Sequence, residues 1–446
     1  MKTVITYGVF DIFHIGHYNL LKRAKELGDR LIVGVCSDEF AQARGKAALV
    51  DTLAVRVGNV RSTGLADMII TEEYYGQKLT DVQRYKADIF VIGDDWTGQF
   101  DYLKDYCQVI YLPRTPGIST TALRNAPPVR FGIIGTGRQA ERFAANIISA
   151  RRYAELASVY NPNAESCLRY ANRHSLQACD STERLFETCD AIYIASPHGT
   201  HFEYARQALE RGRHVLCEKP MAFSARQAEE LFSIAEKKGL VLMEALKTAY
   251  CPGFMNLTAM VKRGIIGDVV DIDSAFTRLT GRDKREWTDT AFGGSFLEFG
   301  SYTLLPVVKF LGTDDVRYTF LSANDEKGLD SFTRFIATNG KQSASGKNGI
   351  GAKSEGQLII SGTEGYILVK APWWKTAEFE IRREDPEDIE IFKTDFEYEG
   401  IGYELYDFFN QVNGNTISRQ KLTRKESVAI AGVFEQFLKE NRQNKQ

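Results

Sequence analysis

Short apolar runs alternate with stretches of helical spacing over the first third of the chain. Residues 4–7, 31–36, 68–70, 89–92 and 109–112 are aliphatic runs bounded by polar or glycine-containing segments, and each predicts a strand. Residues 18–27 carry apolar side chains at helical spacing. This alternation predicts a parallel sheet with crossover helices. It stops at Asn125-Ala126-Pro127-Pro128, where two prolines cannot continue a helix, so 125–128 reads as a linker. The alternation then resumes, with strands expected at 129–134, 156–160, 191–195 and 215–217 and a helix at 139–149. Beyond residue 250 the rhythm changes. Residues 269–277, 332–338, 355–360 and 366–370 predict longer strands with hairpin-like turns, 343–351 reads as a Gly/Ser/Lys loop, and 403–412 and 424–441 read as amphipathic helices. The expected fold class is α/β: two Rossmann-like domains over 1–124 and 129–248, then an α+β domain over 249–446 with a large, mainly antiparallel sheet.

Composition narrows the function classes. The chain has 446 residues, 43% hydrophobic and 26% charged, with a formal net charge of -2. That length calls for two or three domains, and the charge supplies no basic surface for nucleic acid. The opening Met1-Lys2-Thr3-Val4-Ile5 turns polar too soon for a secretory signal, and no apolar run approaches the ~20 residues that span a bilayer. Seven cysteines lie scattered with no Cys-x-x-Cys pair, as expected for reduced packing residues in a cytoplasmic protein. No His/Cys/Asp cluster has metal-ligand spacing, so no protein-bound metal is expected.

Two constellations carry candidate chemistry. Gly8-Val9-Phe10-Asp11 ends the first strand and His14-Ile15-Gly16-His17 opens the first helix. Two imidazoles at a helix N-terminus can donate hydrogen bonds to a crowded phosphorus centre, and the helix dipole adds to the effect. The bland alternative, a pair of solvent-facing turn histidines, fits the preceding Gly-Val-Phe-Asp poorly. Residues 2–124 resemble the cytidylyltransferase family, most closely its glycerol-3-phosphate branch. Gly93-Asp94-Asp95-Trp96 and Arg114-Thr115-Pro116-Gly117-Ile118-Ser119-Thr120-Thr121 carry the resemblance further. The resemblance implies a Rossmann-like nucleotidyltransferase domain using CTP with Mg²⁺. It implies that His14 and His17 stabilise the transition state and that Lys46 contacts the phosphates of both substrates. Gly8, Val9, Phe10, Asp94, Arg114, Ser119 and Thr120 would hold the nucleotide. The chain departs from the family where an aromatic-x-x-Arg motif is usual: Asp51-Thr52-Leu53-Ala54-Val55-Arg56 lacks it, with Arg56 displaced by one position and Arg61 the remaining candidate on the acceptor side.

The second constellation is Gly135-Thr136-Gly137-Arg138-Gln139-Ala140 between a strand and a helix, the Gly-x-Gly-x-x-Ala pattern of a dinucleotide turn. Asn161 stands where an acid would take the ribose hydroxyls, and Arg138 could meet a 2′-phosphate or sit exposed, so the cofactor expectation is NAD(P)(H), leaning to NADP. Glu218-Lys219-Pro220 follows a strand and places a lysine where it can polarise a carbonyl. With Ser196-Pro197-His198-Gly199-Thr200-His201, this block resembles the Gfo/Idh/MocA oxidoreductase family from residue 129 onward. By that resemblance Gly135, Gly137, Arg138, Gln139, Asn161, Ser196, Pro197, His198, His201 and Glu218 bind the cofactor. Lys219 and Tyr302 handle the proton, with Glu298 in the place of an aspartate. The bland reading of Tyr302 is a core aromatic.

Together the constellations predict a bifunctional enzyme: cytidylyl transfer to an alditol or sugar phosphate, and hydride transfer on a related carbonyl/hydroxyl sugar derivative. The alternative is an oxidoreductase with a degenerate nucleotide-binding module. A homo-oligomer is expected, because apolar residues of the last sheet such as Ile359, Ile367 and Val369 should need covering.

Overall fold

The computed structural model describes residues 1–45, 49–147, 150–394, 396, 398–415 and 421–443. The chain folds as two compact units: Met1–Ala126 with Met255–Arg263 and a short piece that includes Asn415, and a second unit drawn from the remainder after Pro127.

The first unit contains β1 (Thr3–Gly8), α1 (Ile15–Lys25), β2 (Arg30–Cys36), α2 (Asp38–Ala43), α3 (Leu53–Ser62), β3 (Met68–Glu72), α4 (Gln77–Arg84), β4 (Ile89–Gly93), β5 (Gln108–Leu112) and α5 (Thr120–Asn125). Its sheet runs β3-β2-β1-β4-β5, parallel throughout. Both faces are covered: Val4, Leu31, Val33 and Val91 pack in one core cluster, Ile5, Ile32 and Phe90 in another. That is why the strands read as continuous apolar runs. The order reverses between β1 and β4, so their carboxyl ends open a crevice. Helix α1 begins three residues before the apolar periodicity does. His14 accepts from Gly16 N–H and the His17 side chain accepts from His14 N–H, a capping box built from two imidazoles.

The second unit begins with β6 (Val129–Ile134), α6 (Arg138–Ile147), β7 (Ala154–Tyr160), α7 (Ala164–His174), β8 (Gln177–Cys179), α8 (Thr182–Glu187), β9 (Ala191–Ile194), α9 (His201–Glu210), β10 (His214–Glu218), α10 (Ala225–Lys237) and β11 (Leu242–Ala245). These form a parallel sheet ordered β11-β10-β9-β6-β7-β8, with the switch between β6 and β9. After α11 (Pro252–Lys262) come β12 (Val269–Thr277), α12 (Arg285–Thr288), α13 (Ser295–Phe310), β13 (Arg317–Asn324), β14 (Asp330–Thr338), β15 (Ser343–Gly349), β16 (Leu358–Gly362), β17 (Gly365–Val369), β18 (Glu378–Arg382), β19 (Ile389–Lys393), α14 (Ile401–Val412) and α15 (Arg424–Gln443). The eight-stranded sheet runs β13-β14-β15-β12-β16-β17-β18-β19, and only β12–β15 pair in parallel.

The fold is the expected α/β arrangement, with three corrections. The stretch expected to be a loop at 343–351 is central strand β15 over most of its length. Its small residues are a packing requirement: a Cβ on Gly346 would lie 2.1 Å from Phe335 Cε1. The strand expected at 355–360 starts only at Leu358. Ile367 and Val369 do not face outward; both are buried inside the second unit, so they need no partner. The exposed apolar residues of this sheet are Val270, Leu321, Ile336, Ile389 and Ile391. Among the described residues no helix is long and apolar enough to cross a membrane, and no group of His, Cys, Asp and Glu could hold a metal.

Candidate active sites

The first unit has a pocket of about 420 Å³ at the carboxyl ends of β1 and β4. His14 and His17 stack there with ring centroids 3.8 Å apart and planes at 15°. Their caps fix the tautomers. Nδ1 of His14 accepts from Gly16 N–H at 3.1 Å, and Nδ1 of His17 accepts from His14 N–H at 3.4 Å. Each neutral ring therefore carries its proton on Nε2. His14 Nε2 lies 3.2 Å from Thr120 Oγ1. Burial, helped by Arg114, holds the His14 pKa down at about 4, and burial followed by the His14 charge pushes His17 well below its usual value. Burial therefore keeps both rings neutral at pH 7, and repulsion between stacked imidazolium rings adds to it.

Gly8, Val9, Phe10, Arg114, Ser119 and Thr120 line the same pocket. Ser119 also caps α5 by accepting from Ala122 N–H. Asp94 is exposed and lies off the lining, where Asp95 stands instead. Lys46 falls outside the described residues. Arg56 is fully buried: it donates to the carbonyls of Val9, Cys36 and Asp51 and pairs with Asp38, so it braces the loops behind the pocket. Arg61 is exposed on α3 and does not line the pocket. Sequence reasoning missed Arg44, Glu72 and Lys78, which do. Lys78 pairs with buried Glu72, and Arg44 lies 3.8 Å from the same carboxylate. Arg44 caps the end of α2, Glu72 ends β3 and Lys78 lies on α4, so only the tertiary fold brings the three together and no local motif announced them.

The second pocket, about 560 Å³, opens at the switch between β6 and β9. Gly135, Gly137, Arg138, Gln139, Asn161, Ser196, Pro197, His198, His201, Glu218, Lys219, Glu298 and Tyr302 all line it. Gly135 sits at φ +107, and a Cβ there would be 2.5 Å from Ala195 O; a Cβ on Gly137 would meet nothing within 4 Å. The turn is thus forced on one side and open on the other, which fits a dinucleotide diphosphate approaching the α6 N-terminus.

Lys219 Nζ donates to Glu298 O at 2.9 Å and stands 3.8 Å from the Glu298 carboxylate. His198, Arg138 and Arg278 reach that carboxylate at 3.6, 3.8 and 3.7 Å. Glu298 is therefore ringed by four cation-capable groups. Tyr302, one turn along α13, lies under Lys219 Nζ at 5.9 Å from its ring centroid. Burial and then the carboxylates around it push the Tyr302 pKa well above its usual value, so the phenol keeps its proton. Gly294 at φ +96 starts α13, and a Cβ there would sit 1.9 Å from Asp330 Oδ1. Asp330 accepts from Phe296 N–H and Ser295 Oγ–H, so the glycine lets a carboxylate of β14 cap the helix that carries Glu298 and Tyr302.

His201 is a strut. Its ring nitrogens lie 2.9 Å from Pro220 O and Ser196 O, tying the Lys219 turn to the β9 loop. Two carbonyl partners would suit a protonated ring, but burial dominates and holds the pKa at about 4, so only one contact has a proton in it. Arg138 is engaged with Glu286 at 3.2 Å. Asn161 donates to Thr136 Oγ1, which touches Ser166 Oγ, so this end of the turn is neutral. Glu286, Arg278, Lys247, Lys284 and Arg285 also line the pocket and carried no motif in the sequence.

Residues 5–126 match the family described as cytidylyltransferase-like, and residues 129–246 match the oxidoreductase family with an NAD-binding Rossmann fold, Gfo/Idh/MocA. The first part is 52% identical over 124 residues to the glycerol-3-phosphate cytidylyltransferase of Bacillus spizizenii, spanning 28% of this chain and 95% of that protein. The later part is 28% identical over 344 residues to the scyllo-inositol 2-dehydrogenase (NADP(+)) IolU of Bacillus subtilis, spanning 70% of this chain and 97% of that protein. It also shares a fold, at TM-score 0.60 and 22% identity, with the 3-ketoreductase KijD10 of Actinomadura kijaniata solved with NADP and TDP-benzene, over 69% of this chain and 96% of that one. The chain is an enzyme whose first unit belongs to the cytidylyltransferases and whose second carries an oxidoreductase domain with the NAD-binding Rossmann fold of Gfo/Idh/MocA over residues 129–246.

Proposed function

We propose that the first unit transfers cytidylyl from CTP to an alditol or sugar phosphate, and that the second moves hydride on a related carbonyl/hydroxyl compound. The observation that carries this reading is that each unit lines a complete pocket from its own residues. In the transfer, an acceptor phosphate oxygen attacks the α-phosphorus of CTP and pyrophosphate leaves. The Nε2–H groups of His14 and His17 are the donors for the charge that builds on the phosphorus oxygens, with Arg114 beside them. Ser119 and Thr120 present hydroxyls to the nucleotide, and Mg²⁺ enters with CTP. Arg44 and Lys78, the cations beside Glu72, suit the acceptor phosphate better than buried Arg56 or exposed Arg61.

In the second pocket Gly135, Gly137 and the start of α6 would hold NAD(P), which supplies or accepts the hydride. Arg138 is spent on Glu286 and Glu298, which removes the residue argument for NADP over NAD. Tyr302 keeps a proton to give to the nascent alkoxide, and Lys219 stabilises that oxygen. Glu298 holds Lys219 in place. The joint product is a CDP-alditol, consistent with a role in supplying cell-surface polysaccharide precursors; that destination rests on kinship to the glycerol-3-phosphate branch. The test is pyrophosphate release from CTP across a panel of alditol phosphates, with NAD(P)H oxidation followed separately. No release with any acceptor would leave only the alternative, an oxidoreductase with a binding module.

Association of copies is part of the proposal. The exposed apolar residues Leu321, Ile336 and Val270 of the eight-stranded sheet are the surface to cover. Light scattering should give a homo-oligomer, and a mass of one chain at every concentration would refute it.

A further inference from the structure

The second pocket carries more positive charge than a nicotinamide cofactor uses. Its walls hold Lys219, Lys247, Arg278, Lys284 and Arg285, besides Arg138 and Arg142 on α6, against the carboxylates Glu218, Glu286 and Glu298. Burial favours the neutral form of Glu218, which widens the excess. The cofactor does not account for it. A diphosphate is met by the backbone of the Gly135–Gly137 turn and the α6 N-terminus. The ribose end presents Asn161, Thr136 and Ser166, which are neutral. The surplus cations come from other elements that line the pocket: Arg278 just past β12, Lys284 and Arg285 at the start of α12, Lys247 after β11. Arg278 shares Glu286 and Glu298 with Arg138. Among the described residues Lys284 pairs only with exposed Asp283, a contact worth little. Lys247 and Arg285 make no ion pair among the described residues, yet Lys247 is near enough to act on Glu218, and Arg285 on His198 and His201. Like charges converging on one cavity raise its potential and draw in an anion.

We propose that the second pocket takes a substrate bearing a phosphate ester, and that Lys247, Arg278 and Arg285 bind that phosphate. The inference rests on the nicotinamide-dependent reading of this pocket. A neutral polyol is read by carboxylates and amides that accept from its hydroxyls, and the carboxylates here are occupied: Glu218 by Tyr193 and Gln139, Glu286 and Glu298 by arginines. The transfer proposed for the first unit points the same way. Its acceptor must own a phosphate to attack CTP, so a compound handled by both pockets carries phosphate in both. The step balances: the carbonyl carbon gains a hydride from the reduced nicotinamide, the carbonyl oxygen gains a proton, the C=O π bond is replaced by C–H and O–H bonds, and the phosphate is unchanged. A ketose or aldose phosphate enters, and the alditol phosphate that leaves is a nucleophile for cytidylyl transfer.

The test uses the full chain with CTP filling the first pocket and NADPH or NADH the second. Inorganic phosphate is titrated while the bound nicotinamide fluorescence is followed. A saturable change should appear in the millimolar range and weaken by about tenfold or more in K247Q/R278Q/R285Q. The second arm compares D-ribulose 5-phosphate with D-ribulose, dihydroxyacetone phosphate with dihydroxyacetone, and a CDP-linked ketose with both. Whichever ester is used, kcat/KM for the phosphorylated member should exceed its partner by about 10²-fold, and the ratio should collapse in the triple variant. A preference for the monoester puts reduction before transfer; a preference for the CDP-linked compound puts it after, and both support a phosphate site. Nicotinamide binding serves as the folding control for the variant. If the chain binds no nicotinamide, the underlying reading fails. If it binds nicotinamide but phosphate leaves the fluorescence unchanged in the wild type, or acts equally on the variant, the phosphate inference is overturned alone.

Discussion

The two pockets meet negative charge by opposite means. In the first, burial strips His14 and His17 of their protons, and the stacked neutral rings offer N–H groups beside Arg114. In the second, the Glu298 carboxylate sits within 4 Å of Lys219, Arg138 and Arg278, a cluster of charged groups, with His198, which burial holds neutral, beside it. The difference follows from what each proposed reaction creates. Charge that grows on phosphorus oxygens is served by donors already oriented and uncharged, whose arrangement does not change before substrate arrives. An alkoxide formed from a neutral carbonyl needs a nearby proton and a cation held in place, and a carboxylate-anchored lysine over a protonated tyrosine meets both needs. Both arrangements stand at sheet switch points, so similar scaffolds host different electrostatics.

The largest expected effect separates the pockets outright. His17→Ala should lower cytidylyl transfer by roughly 10²–10³-fold, the loss usual for one transition-state donor. NAD(P)H oxidation should stay within about twofold, because each unit lines its own pocket. Lys219→Ala should do the reverse, and Tyr302→Phe should slow hydride transfer with cofactor affinity held within a few-fold. Coupled assays on one preparation decide it: wild-type transfer in His17→Ala, or loss of both activities in either variant, would break the division.

How much of this was legible in the sequence follows the same division. Strands of the parallel sheets showed themselves because burial on both faces makes the run itself apolar, as in β2 and β6. Strand β15 did not, because what it buries against Phe335 is the absence of side chains, and Gly and Ser read as loop. Motif residues at strand ends, such as His14, Gly135 and Lys219, were readable since the turn and the chemistry lie in one short segment. Glu72, Lys78, Arg278, Glu286 and Arg285 were not, because only tertiary folding brings them to the pockets. Arg56 shows the reverse error: a cation at nearly the expected position can be consumed by carbonyls and leave the site.

Acid should weaken the two units unequally. His14 has its pKa lowered to about 4 in the folded chain. Below the unfolded value of ~6.5 the unfolded state binds the proton first, so stability falls as pH drops from there toward about 4 and changes no further below it. At pH 5 this one group costs about 2 kcal/mol, and His17 adds in the same direction. The second unit also has depressed histidines, His198 and His201, but it contains Glu218, Glu244 and Asp330 with raised values. A carboxylate with a raised folded pKa stabilises the fold at low pH and loses that contribution as pH rises through the folded value, so these groups offset the histidines. Melting between pH 7 and 5, with CTP and NADPH used to assign the transitions, should show the first unit falling faster. His14→Asn keeps a capping acceptor and removes the titration, so it should flatten that fall. Equal slopes in wild type and variant would show that His14 is not neutral by burial.

The smallest effect concerns what completes the first pocket. Within the first unit, Ile15 N–H at the start of α1 donates to Asn415 Oδ1 at 2.9 Å, and Asn415 Nδ2 donates to Phe13 O at 3.1 Å. Both partners flank His14, so a residue far along the chain holds the loop that carries the imidazole pair. Losing a buried amide's acceptor costs roughly 1 kcal/mol. Asn415→Ala should therefore lower the melting point of the CTP-stabilised transition by a few degrees and raise KM for CTP several-fold, with kcat changed less. A chain cut at 126–128 removes the same contact. Its first fragment should still bind CTP, since the pocket lining lies within Met1–Ala126, but with the weakened affinity of Asn415→Ala rather than that of the intact chain. If the fragment binds CTP as tightly as the whole protein while Asn415→Ala does not, the asparagine acts through something other than the α1 N-terminus; if the fragment does not fold, the break at Pro127-Pro128 is no domain boundary.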